Sequence, residues 1–383
     1  MSDEMLHIAG LGLALKRPGD GANYLRGWDA ADELLLEHAS EQIAGRPDQR
    51  VLVVDDQFGA LTLGLGRLFP EISLVSLADN ATLATALQLN SASMAPVAGP
   101  ASWLEPPLQT FDLVVLRIPR QADYLAWVLR WCNQVLGPDG VIIAGGMIKH
   151  LPDQSSKVFA ELVNTRMVSR AWKKARVTVS TPGDSTLESW NAQWQGYDLP
   201  ESGVRVDALP AVFSRRKLDI GTRELLPAMG NRVVDLPAGS RLLDLACGNG
   251  VLGLAALSLC QDLEVIFSDV SSQAVLSARH NVGRAFPQAL TRFVHCDGMP
   301  PGTAEFDLIL LNPPFHEGGV VGDHIALTLF RQAAARLAPG GRVLVVGNRH
   351  LGYHRSLKTS FSLVRQLASS PKFVVFEAGH QPP

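Results

Sequence analysis

Short apolar runs and amphipathic segments alternate along the second half of the chain. From residue 241 onward, runs rich in Val, Leu and Ile are separated by stretches of helical periodicity. Unbroken apolar runs of this kind are typical of parallel strands that are buried on both faces of a sheet. The pattern predicts a doubly wound α/β domain, with strands at 241–246, 264–269, 292–297, 306–311, 342–347 and 372–377 and helices at 251–260, 272–286 and 324–337.

The first half of the chain repeats this plan in a weaker form. An overlay that sets Gly59 on Gly250 aligns the apolar runs before them, and the same offset sets Asn90 on Asn281. Further matches pair 111–116 with 306–311 and 136–140 with 337–341. This self-similarity favours a duplicated domain. The alternative is that any two α/β domains share apolar strands and Pro-Gly turns.

Chain length and turn chemistry predict a boundary near the middle. With 383 residues, the chain exceeds what one hydrophobic core usually organises, so two domains are expected. Turn-forming residues fill 180–186, and 190–200 mixes aromatic and polar residues without periodicity. We predict domains at 1–195 and 196–383.

Composition is that of an ordinary globular protein. Hydrophobic residues make up 46% and charged residues 19%, and no apolar run approaches the ~18 residues of a membrane helix. The acidic residues after Met1 are unlike the positive start of a secretory signal, so we expect a cytoplasmic protein without a membrane partner. The 4 cysteines are far apart, which argues against disulfides and against a metal site. Lys and Arg (34) nearly balance Asp and Glu (37), so any nucleic-acid contact must come from local patches of positive charge. The sequence leaves the oligomeric state open, and a monomer is one of the options.

A glycine-rich turn joins the first predicted strand of the second domain to its helix. Gly248 and Gly250 let the backbone turn sharply and approach a ligand without a Cβ in the way. With Gly253 the turn also satisfies the dinucleotide fingerprint, but that match alone is weak. Asp269 ends the second strand, where an acid can accept hydrogen bonds from the ribose of nicotinamide and S-adenosylmethionine cofactors alike.

Two further acids distinguish these cofactors. Asp244 ends the first strand, where its charge suits a cationic sulfonium and an amino group, and Asp297 ends the third strand beside the expected adenine position. Each acid alone is also a common helix cap or turn residue. Together with Cys247 and Asn249 of the turn, the series resembles the motifs of class I S-adenosylmethionine-dependent methyltransferases.

The most informative stretch is Asn312-Pro313-Pro314-Phe315, which follows the apolar run 306–311 at the carboxyl end of the sheet. It can be a rigid loop, since Asn-Pro and Pro-Pro are ordinary turn formers. It also matches the N-P-P-[FYW] signature of methyltransferases that act on planar amino groups. The Asn312 side chain and the Pro313 carbonyl are two acceptors that can hold both N–H bonds of such an amine. Phe315 offers a ring on which a flipped base can stack.

With these motifs, the chain resembles the ribosomal RNA large subunit (23S) guanine-N2 methyltransferase G family and, more distantly, small subunit methyltransferase C. The segment 213–221, with Asp219 and Gly221, is similar to the stretch that enters the catalytic domain and caps the cofactor pocket in both families. The segments 28–33 and 171–176 are similar to N-terminal parts of the large-subunit enzyme. The resemblance implies two tandem Rossmann-like, class I methyltransferase-like domains. It also implies N2 methylation of a guanine in 23S rRNA with S-adenosyl-L-methionine.

Several alternatives remain open from the sequence. Ala246 stands where these families usually carry glycine. The tetrapeptide also suits adenine-N6 DNA enzymes and glutamine methyltransferases, although those more often end it with tyrosine. Further alternatives are a 16S rRNA guanine target, a regulator that binds RNA and retains a cofactor site, and a nicotinamide dehydrogenase. The intact tetrapeptide argues against the regulator and the dehydrogenase, because neither needs Asn312.

The first domain lacks the chemical groups of the second. The overlay sets Gln57 on Gly248, Ala78 on Asp269, and the residues 117–120 on the catalytic tetrapeptide. We therefore expect a degenerate methyltransferase-like domain that binds ribosomal RNA. The candidate RNA contacts are Arg117, Arg120, Arg170, Lys173, Lys174 and Arg176. Each of these side chains taken singly can equally belong to a solvated face.

Overall fold

The computed structural model describes residues 5–19, 25–46, 48–92, 97–200, 202–314, 316–317, 320–321 and 324–381, with the main chain only at 316–317 and 320–321. The chain divides into two units, Met1–Gln193 and Trp194–Pro383. Within the described ranges, no helix combines the length and the apolar character needed to cross a membrane.

In its described residues, the first unit forms a hairpin and a six-stranded mixed sheet with helices. Its elements are β1 (Met5–Ile8), β2 (Leu11–Ala14), α1 (Ala30–Ile43), β3 (Arg50–Val54), α2 (Ala60–Leu68), β4 (Ser73–Leu77), α3 (Thr82–Ser91), β5 (Phe111–Arg117), α4 (Ala122–Val135), β6 (Leu136–Met147), α5 (Ser155–Leu162), β7 (Val163–Val168) and β8 (Ala175–Pro182). The strand order is β4-β3-β5-β6-β8-β7, and β7 and β8 are the antiparallel strands.

The second unit repeats this plan. Its elements are β9 (Gln195–Asp198), β10 (Arg205–Ala208), α6 (Ile220–Val234), β11 (Arg241–Leu245), α7 (Val251–Leu259), β12 (Glu264–Asp269), α8 (Ser272–Ala285), β13 (Thr291–His295), β14 (Phe306–Leu311), β15 (His316–Glu317), β16 (Val320–Val321), α9 (His324–Ala334), β17 (Leu337–Asn348), α10 (Tyr353–Leu357), β18 (Leu363–Ser369) and β19 (Phe373–Gly379). The order β13-β12-β11-β14-β17-β19-β18 adds one edge strand to the order seen in the first unit.

Helices cover both faces of the second sheet. Leu242 packs in a cluster with Val251 of α7, whereas its neighbour Leu243 packs in a second cluster with Phe330 of α9 and Tyr353 of α10. Successive strand residues point to opposite faces, so a strand covered on both sides must be apolar at every position. This burial accounts for the unbroken apolar runs in the sequence.

The end of the sheet differs from the sequence prediction. The run 372–377, expected as a parallel strand, belongs to β19, which is antiparallel to β17, and its partner β18 was not predicted. A turn of three residues joins β18 to β19, and only antiparallel strands can be joined so closely. Most of β18 is exposed, which explains why it carries no apolar run.

One asparagine in each unit makes three matching hydrogen bonds. Asn281 Nδ2 donates to the carbonyls of Asp207 (2.7 Å) and Asn249 (3.0 Å), and its Oδ1 accepts from the Asp207 N–H (2.9 Å). Asn90 makes three corresponding bonds, two with the main chain of Lys16 and one with the carbonyl just before the matching glycine. The overlay therefore describes a structural repeat, down to individual contacts.

Candidate active site

The glycine-rich turn lies where β11 ends and α7 begins. Gly248 and Gly250 have left-handed backbones with φ of 56° and 80°, which glycine adopts without strain. A Cβ at Gly250 would come within 2.9 Å of the Cβ of Ala278 on α8, whereas a Cβ at Gly248 would meet no described atom within 4 Å. Gly250 thus permits close helix packing, whereas the space beside the Gly248 Cα is open.

Ala246 also has a left-handed backbone, with φ of 57°. A Cβ in this region costs roughly 1–2 kcal/mol, so the backbone at this position favours glycine. Asp55, its counterpart in the overlay, has φ of 56°. The strained turn is therefore a property of the shared fold, and alanine accommodates it here.

Asp244 is a buried carboxyl group at the end of β11. Its Oδ2 accepts a hydrogen bond from the Gly253 N–H at 2.9 Å. Its Oδ1 is buried and has no hydrogen-bond donor among the described residues. Burial, with a contribution from the negative charge of Asp269, raises the pKa of Asp244 to about 8. A cationic ligand at Oδ1 would favour the ionised form.

Asp269 and Asp297 both lie close enough to Cys296 for their charges to act on it. The two oxygens of Asp269 accept hydrogen bonds from the main chains of Gly248 (2.8 Å) and Ser271 (2.9 Å). Asp297 is exposed. The sequence predicted that it ends the strand 292–297, whereas β13 ends at His295, two residues earlier. Burial and the charges of both acids raise the pKa of the Cys296 thiol to about 11. The structure thus brings the two acids to one end of the sheet.

Cys247 and Asn249, the other side chains of the turn, point into the protein. Cys247 is buried, and burial raises the pKa of its thiol well above the usual value, so it stays protonated. Asn249 is buried as well, and its Nδ2 donates to the Tyr197 hydroxyl at 3.3 Å. Both side chains are directed away from the surface, and the predicted cofactor contacts of Cys247 and Asn249 stay predictions. Across the described ranges, no three His, Cys, Asp or Glu side chains are grouped as metal ligands.

Asn312 directly follows β14. Its Nδ2 donates to Asp219 Oδ2 at 3.1 Å and to Thr222 Oγ1 at 3.0 Å. Its Oδ1 is buried and receives no hydrogen bond from any described residue. Pro313 is buried and Pro314 is exposed, whereas the predicted stacking residue Phe315 lies outside the described residues.

The segment predicted to cap the cofactor pocket meets Asn312. Asp219 is the N-cap of α6, and its Oδ2 also accepts from the Thr222 N–H at 2.9 Å. A Cβ at Gly221 would lie 3.2 Å from the Phe373 ring, so glycine lets α6 approach β19 closely. Sequence reasoning missed Thr222, whose only signal is its place three residues after a capping aspartate.

Arg117 stands in the first unit where the overlay sets Asn312. Its Nη1 lies 2.8 Å from Asp29 Oδ1 and 2.9 Å from Asp32 Oδ1, and Nη2 lies 3.0 Å from Asp29 Oδ2. The residue is only 6% exposed. The prediction that Arg117 contacts RNA is therefore corrected, because its guanidinium is occupied by two carboxylates inside the unit.

Three carboxyl groups surround this guanidinium. Burial, together with the negative charges of Asp29 and Asp56, raises the pKa of Asp32 to about 7 despite the opposing charge of Arg117. Burial would lower the pKa of Arg117, but the carboxylates outweigh it and raise that pKa. The cluster therefore holds a permanently charged guanidinium beside a carboxyl that titrates near neutral pH.

The remaining basic residues of the predicted RNA surface are exposed: Arg120, Arg170, Lys173, Lys174 and Arg176. Lys173 and Lys174 form the tip of the hairpin between β7 and β8, with φ of 45° and 65°. Two successive left-handed residues are typical of a type I′ turn, where Asn-Gly is preferred. Lysines at both positions are strained. Lys173 Nζ lies 2.9 Å from Glu33 Oε2 and 4.2 Å from the centre of the exposed Trp172 ring, and Lys174 adds a second exposed positive charge.

A second turn adds positive charge next to this tip. The Ile148 N–H donates to the Lys174 carbonyl at 2.8 Å, which places the exposed Lys149 beside the hairpin. Burial and the positive charges of Arg120 and Lys149 lower the pKa of His150. Sequence analysis missed Lys149, because only the tertiary fold brings it to the tip.

Comparisons with known families cover both units. The family described as RLMG N-terminal domain matches residues 3–184, and the Methyltransferase small domain matches residues 203–377. Ribosomal RNA large subunit methyltransferase G of Alcanivorax borkumensis is 39% identical over 374 residues, which cover 92% of this chain and 90% of the relative. The protein of that name from Pseudomonas syringae pv. tomato is 37% identical, with 95% and 96% covered.

A solved structure matches along the whole chain. The 16S rRNA N2 methyltransferase RsmC of T. thermophilus, in complex with AdoMet and guanosine, has a TM-score of 0.75 at 24% identity and covers 98% of this chain and 97% of its own. This likeness confirms the predicted α/β fold with tandem methyltransferase-like domains. The full-length relatives confirm the resemblance seen in the sequence motifs. The chain therefore belongs to the ribosomal RNA large subunit methyltransferase G family.

Proposed function

We propose that this chain is a cytoplasmic, S-adenosylmethionine-dependent enzyme that methylates the exocyclic N2 amine of a guanine in 23S rRNA. The observation that carries the proposal is Asn312 Oδ1, a buried acceptor with no donor among the described residues, at the carboxyl end of the sheet. A buried acceptor in this state is costly unless an N–H donor reaches it. The names of the relatives support large-subunit rRNA, and the guanosine bound to the T. thermophilus enzyme supports the base.

The residues around the glycine turn fit S-adenosylmethionine. Asp244 offers a buried carboxylate oxygen to a cationic group, and the space beside the Gly248 Cα is open to a ligand. Asp269 and Asp297 are the acids assigned to the ribose and the adenine. The proposed pocket also includes Cys247, Asn249, Gly250, Asp219 and Gly221. When bound, the cofactor supplies an activated methyl group.

Asn312 and Pro313 orient the target amine. Asn312 Oδ1 and the Pro313 carbonyl each accept one N–H bond, which turns the nitrogen lone pair toward the line of attack. The two prolines stiffen the main chain that carries these acceptors. A base can stack on Phe315, and this contact stays a prediction from the sequence. Since the donor is already activated, the residues need only hold the amine, and the product nitrogen loses its proton to solvent.

Mass spectrometry of rRNA nucleosides tests the target. Cells that lack the gene should lose an N2-methylguanosine from 23S rRNA. The wild-type gene should restore it, and a gene with Asn312→Ala should not. Loss of the nucleoside from 16S rRNA would instead make the small subunit the substrate. Unchanged nucleosides in both RNAs would favour a regulator that binds RNA without modifying it.

We further propose that residues 1–195 bind the rRNA and that residues 196–383 carry the cofactor and the chemistry. The support is the strained tip at Lys173 and Lys174, together with the nearby charges of Arg120 and Lys149. Exposed lysines and arginines bind phosphates, and an exposed tryptophan such as Trp172 can stack on an unpaired base. Arg170 and Arg176, on the arms of the same hairpin, complete the proposed surface.

Charge reversal at the tip tests this surface. Lys174→Glu should weaken rRNA binding and lower the salt dependence of the binding constant by about one phosphate contact. The matched control is Arg46→Glu, which makes the same charge change on an exposed residue near the amino ends of the strands. Cofactor affinity should be unchanged in both variants. Equal RNA binding by the two variants would rule out the tip as a specific contact.

A further inference from the structure

We infer that Asp219 and Thr222 are positioning residues that fix which end of the Asn312 amide faces the target amine; this inference rests on the proposed function. Asn312 Nδ2 donates to Asp219 Oδ2 at 3.1 Å and to Thr222 Oγ1 at 3.0 Å. A carboxylate oxygen only accepts hydrogen bonds, so the Asp219 contact admits the amide nitrogen and excludes the amide oxygen. The carbonyl oxygen is consequently turned to the other side, where no described residue donates to it.

The two contacts use the full donor capacity of the amide. An amide NH₂ has two hydrogens, and here one acceptor is available for each. A flip of the Asn312 side chain would lose the bond to Asp219 and would bring its carbonyl oxygen against that carboxylate, so that only the Thr222 hydroxyl could donate to the flipped oxygen. Thr222 is only 4% exposed, so water cannot readily replace its hydroxyl. The arrangement therefore keeps Oδ1 directed at the substrate in every turnover.

The first unit supports a positioning role for this helix N-terminus. Asp29 and Asp32 hold the N-cap and third positions of α1, as Asp219 and Thr222 do in α6. Both aspartates bind Arg117, the counterpart of Asn312 in the overlay. In each unit the same two helix positions thus hold the residue at the carboxyl end of the corresponding strand, Arg117 as the last residue of β5 and Asn312 as the first residue after β14. At the third helix position, the negative charge of Asp32 balances the positive guanidinium of Arg117, whereas the neutral hydroxyl of Thr222 accepts a hydrogen bond from the neutral amide of Asn312.

Conservative substitutions at Thr222 test the inference with the full-length enzyme. Thr222→Val removes the acceptor and keeps the shape, whereas Thr222→Ser keeps the hydroxyl. We expect Thr222→Val to lower kcat for 23S rRNA about tenfold, the effect of one hydrogen bond. KM for RNA and Kd for S-adenosylmethionine should stay within about twofold, because neither ligand contacts Thr222 in this assignment. Thr222→Ser should restore most of the wild-type kcat.

A double-mutant cycle separates positioning from a structural role. In the Asn312→Ala background, Thr222→Val should cause no further loss, because the residue acts through the missing amide. The same tenfold loss in that background, or a Thr222→Ser variant as slow as Thr222→Val, would overturn the inference.

If Thr222→Val lowers the melting temperature, Thr222→Ala removes the same acceptor with a smaller side chain and must give the same kcat. An inactive wild type would overturn the proposed function itself, whereas an active wild type with an unaffected Thr222→Val variant overturns only the positioning role.

Discussion

The two units place different chemistry at the same helix N-terminus. In the second unit, Asp219 and Thr222 hold a neutral amide whose carbonyl oxygen has no described donor. In the first unit, Asp29 and Asp32 hold the guanidinium of Arg117 in a buried ion cluster. A guanidinium has donors only, so it offers nothing to an amine N–H. One residue at the end of a strand thus determines whether a hydrogen-bond acceptor is present at this place in the fold.

The acids of the proposed cofactor site in the second unit are also missing from the first unit. Val53 and Ala78 are apolar where the overlay sets Asp244 and Asp269. The edge strand β13 has no full counterpart in the described first unit, where an isolated bridge at Ala101 takes its place. The apolar faces that pack the sheet are present in both units. The fold therefore persists without the polar groups, because burial of apolar side chains supplies most of its stability.

The largest expected effect is the loss of stability that Arg117→Ala causes in the first unit. This substitution leaves the buried Asp32 and Asp56 and the half-buried Asp29 without their counter-charge, and removal of one partner from a buried ion pair costs about 3–5 kcal/mol. Denaturant unfolding measures the change. Arg120→Ala removes the same side chain from an exposed position and should change stability by less than about 0.5 kcal/mol. Equal stability of the two variants would show that the ion cluster is not structural.

Asn312→Ala should affect activity and leave stability nearly unchanged. Loss of the oriented acceptor should lower the rate of methyl transfer roughly 10²-fold or more, because misplaced reactants lose the advantage of orientation. Affinity for S-adenosylmethionine should stay within about twofold. Methyl incorporation into 23S rRNA and calorimetry measure the two quantities. An equal loss of cofactor affinity would assign Asn312 to the wrong ligand.

Asp269→Ala should weaken the cofactor site. Loss of charged hydrogen bonds to the ribose should cost about 1.5–3 kcal/mol, which is roughly a 10- to 100-fold increase in Kd. Ala78 occupies this position in the first unit, so calorimetry on the wild type should give one bound S-adenosylmethionine per chain. Two bound molecules, or an unaltered Kd in the variant, would contradict the division between the units.

The smallest expected effect is a pH dependence of cofactor binding. With a pKa of about 8, Asp244 is mostly protonated at pH 7 in the free protein, and a bound cation lowers that pKa. Binding should therefore release a proton, and affinity should rise by about fivefold between pH 7 and pH 8 as the ionised fraction of Asp244 in the free protein grows. Calorimetry in buffers of different ionisation enthalpy counts the proton. Asp244→Asn should remove the pH dependence, and a flat profile in the wild type would refute the assignment.

The sequence by itself determined the fold class and identified the two motifs of the candidate site, the glycine-rich turn and the Asn312 tetrapeptide. The predicted strands 264–269 and 306–311 coincide with β12 and β14, because burial on both faces leaves a local apolar run. The glycine turn and the Asn312 tetrapeptide could be recognised as well, because their backbone and side-chain requirements lie within a few consecutive residues. The site assignments themselves stay predictions until the variants above are measured.

Only the tertiary structure decided which groups meet. Arg117 looked like a residue available to RNA, but a carboxylate 88 residues away binds its guanidinium. The only local signal of Thr222 is its place after a capping aspartate, and the sequence does not show that its hydroxyl meets an amide 90 residues further along the chain. The antiparallel pairing of β19 with β17 likewise depends on how distant strands align. Local periodicity reports whether a residue is buried, whereas its partner depends on the packing of segments far apart in sequence.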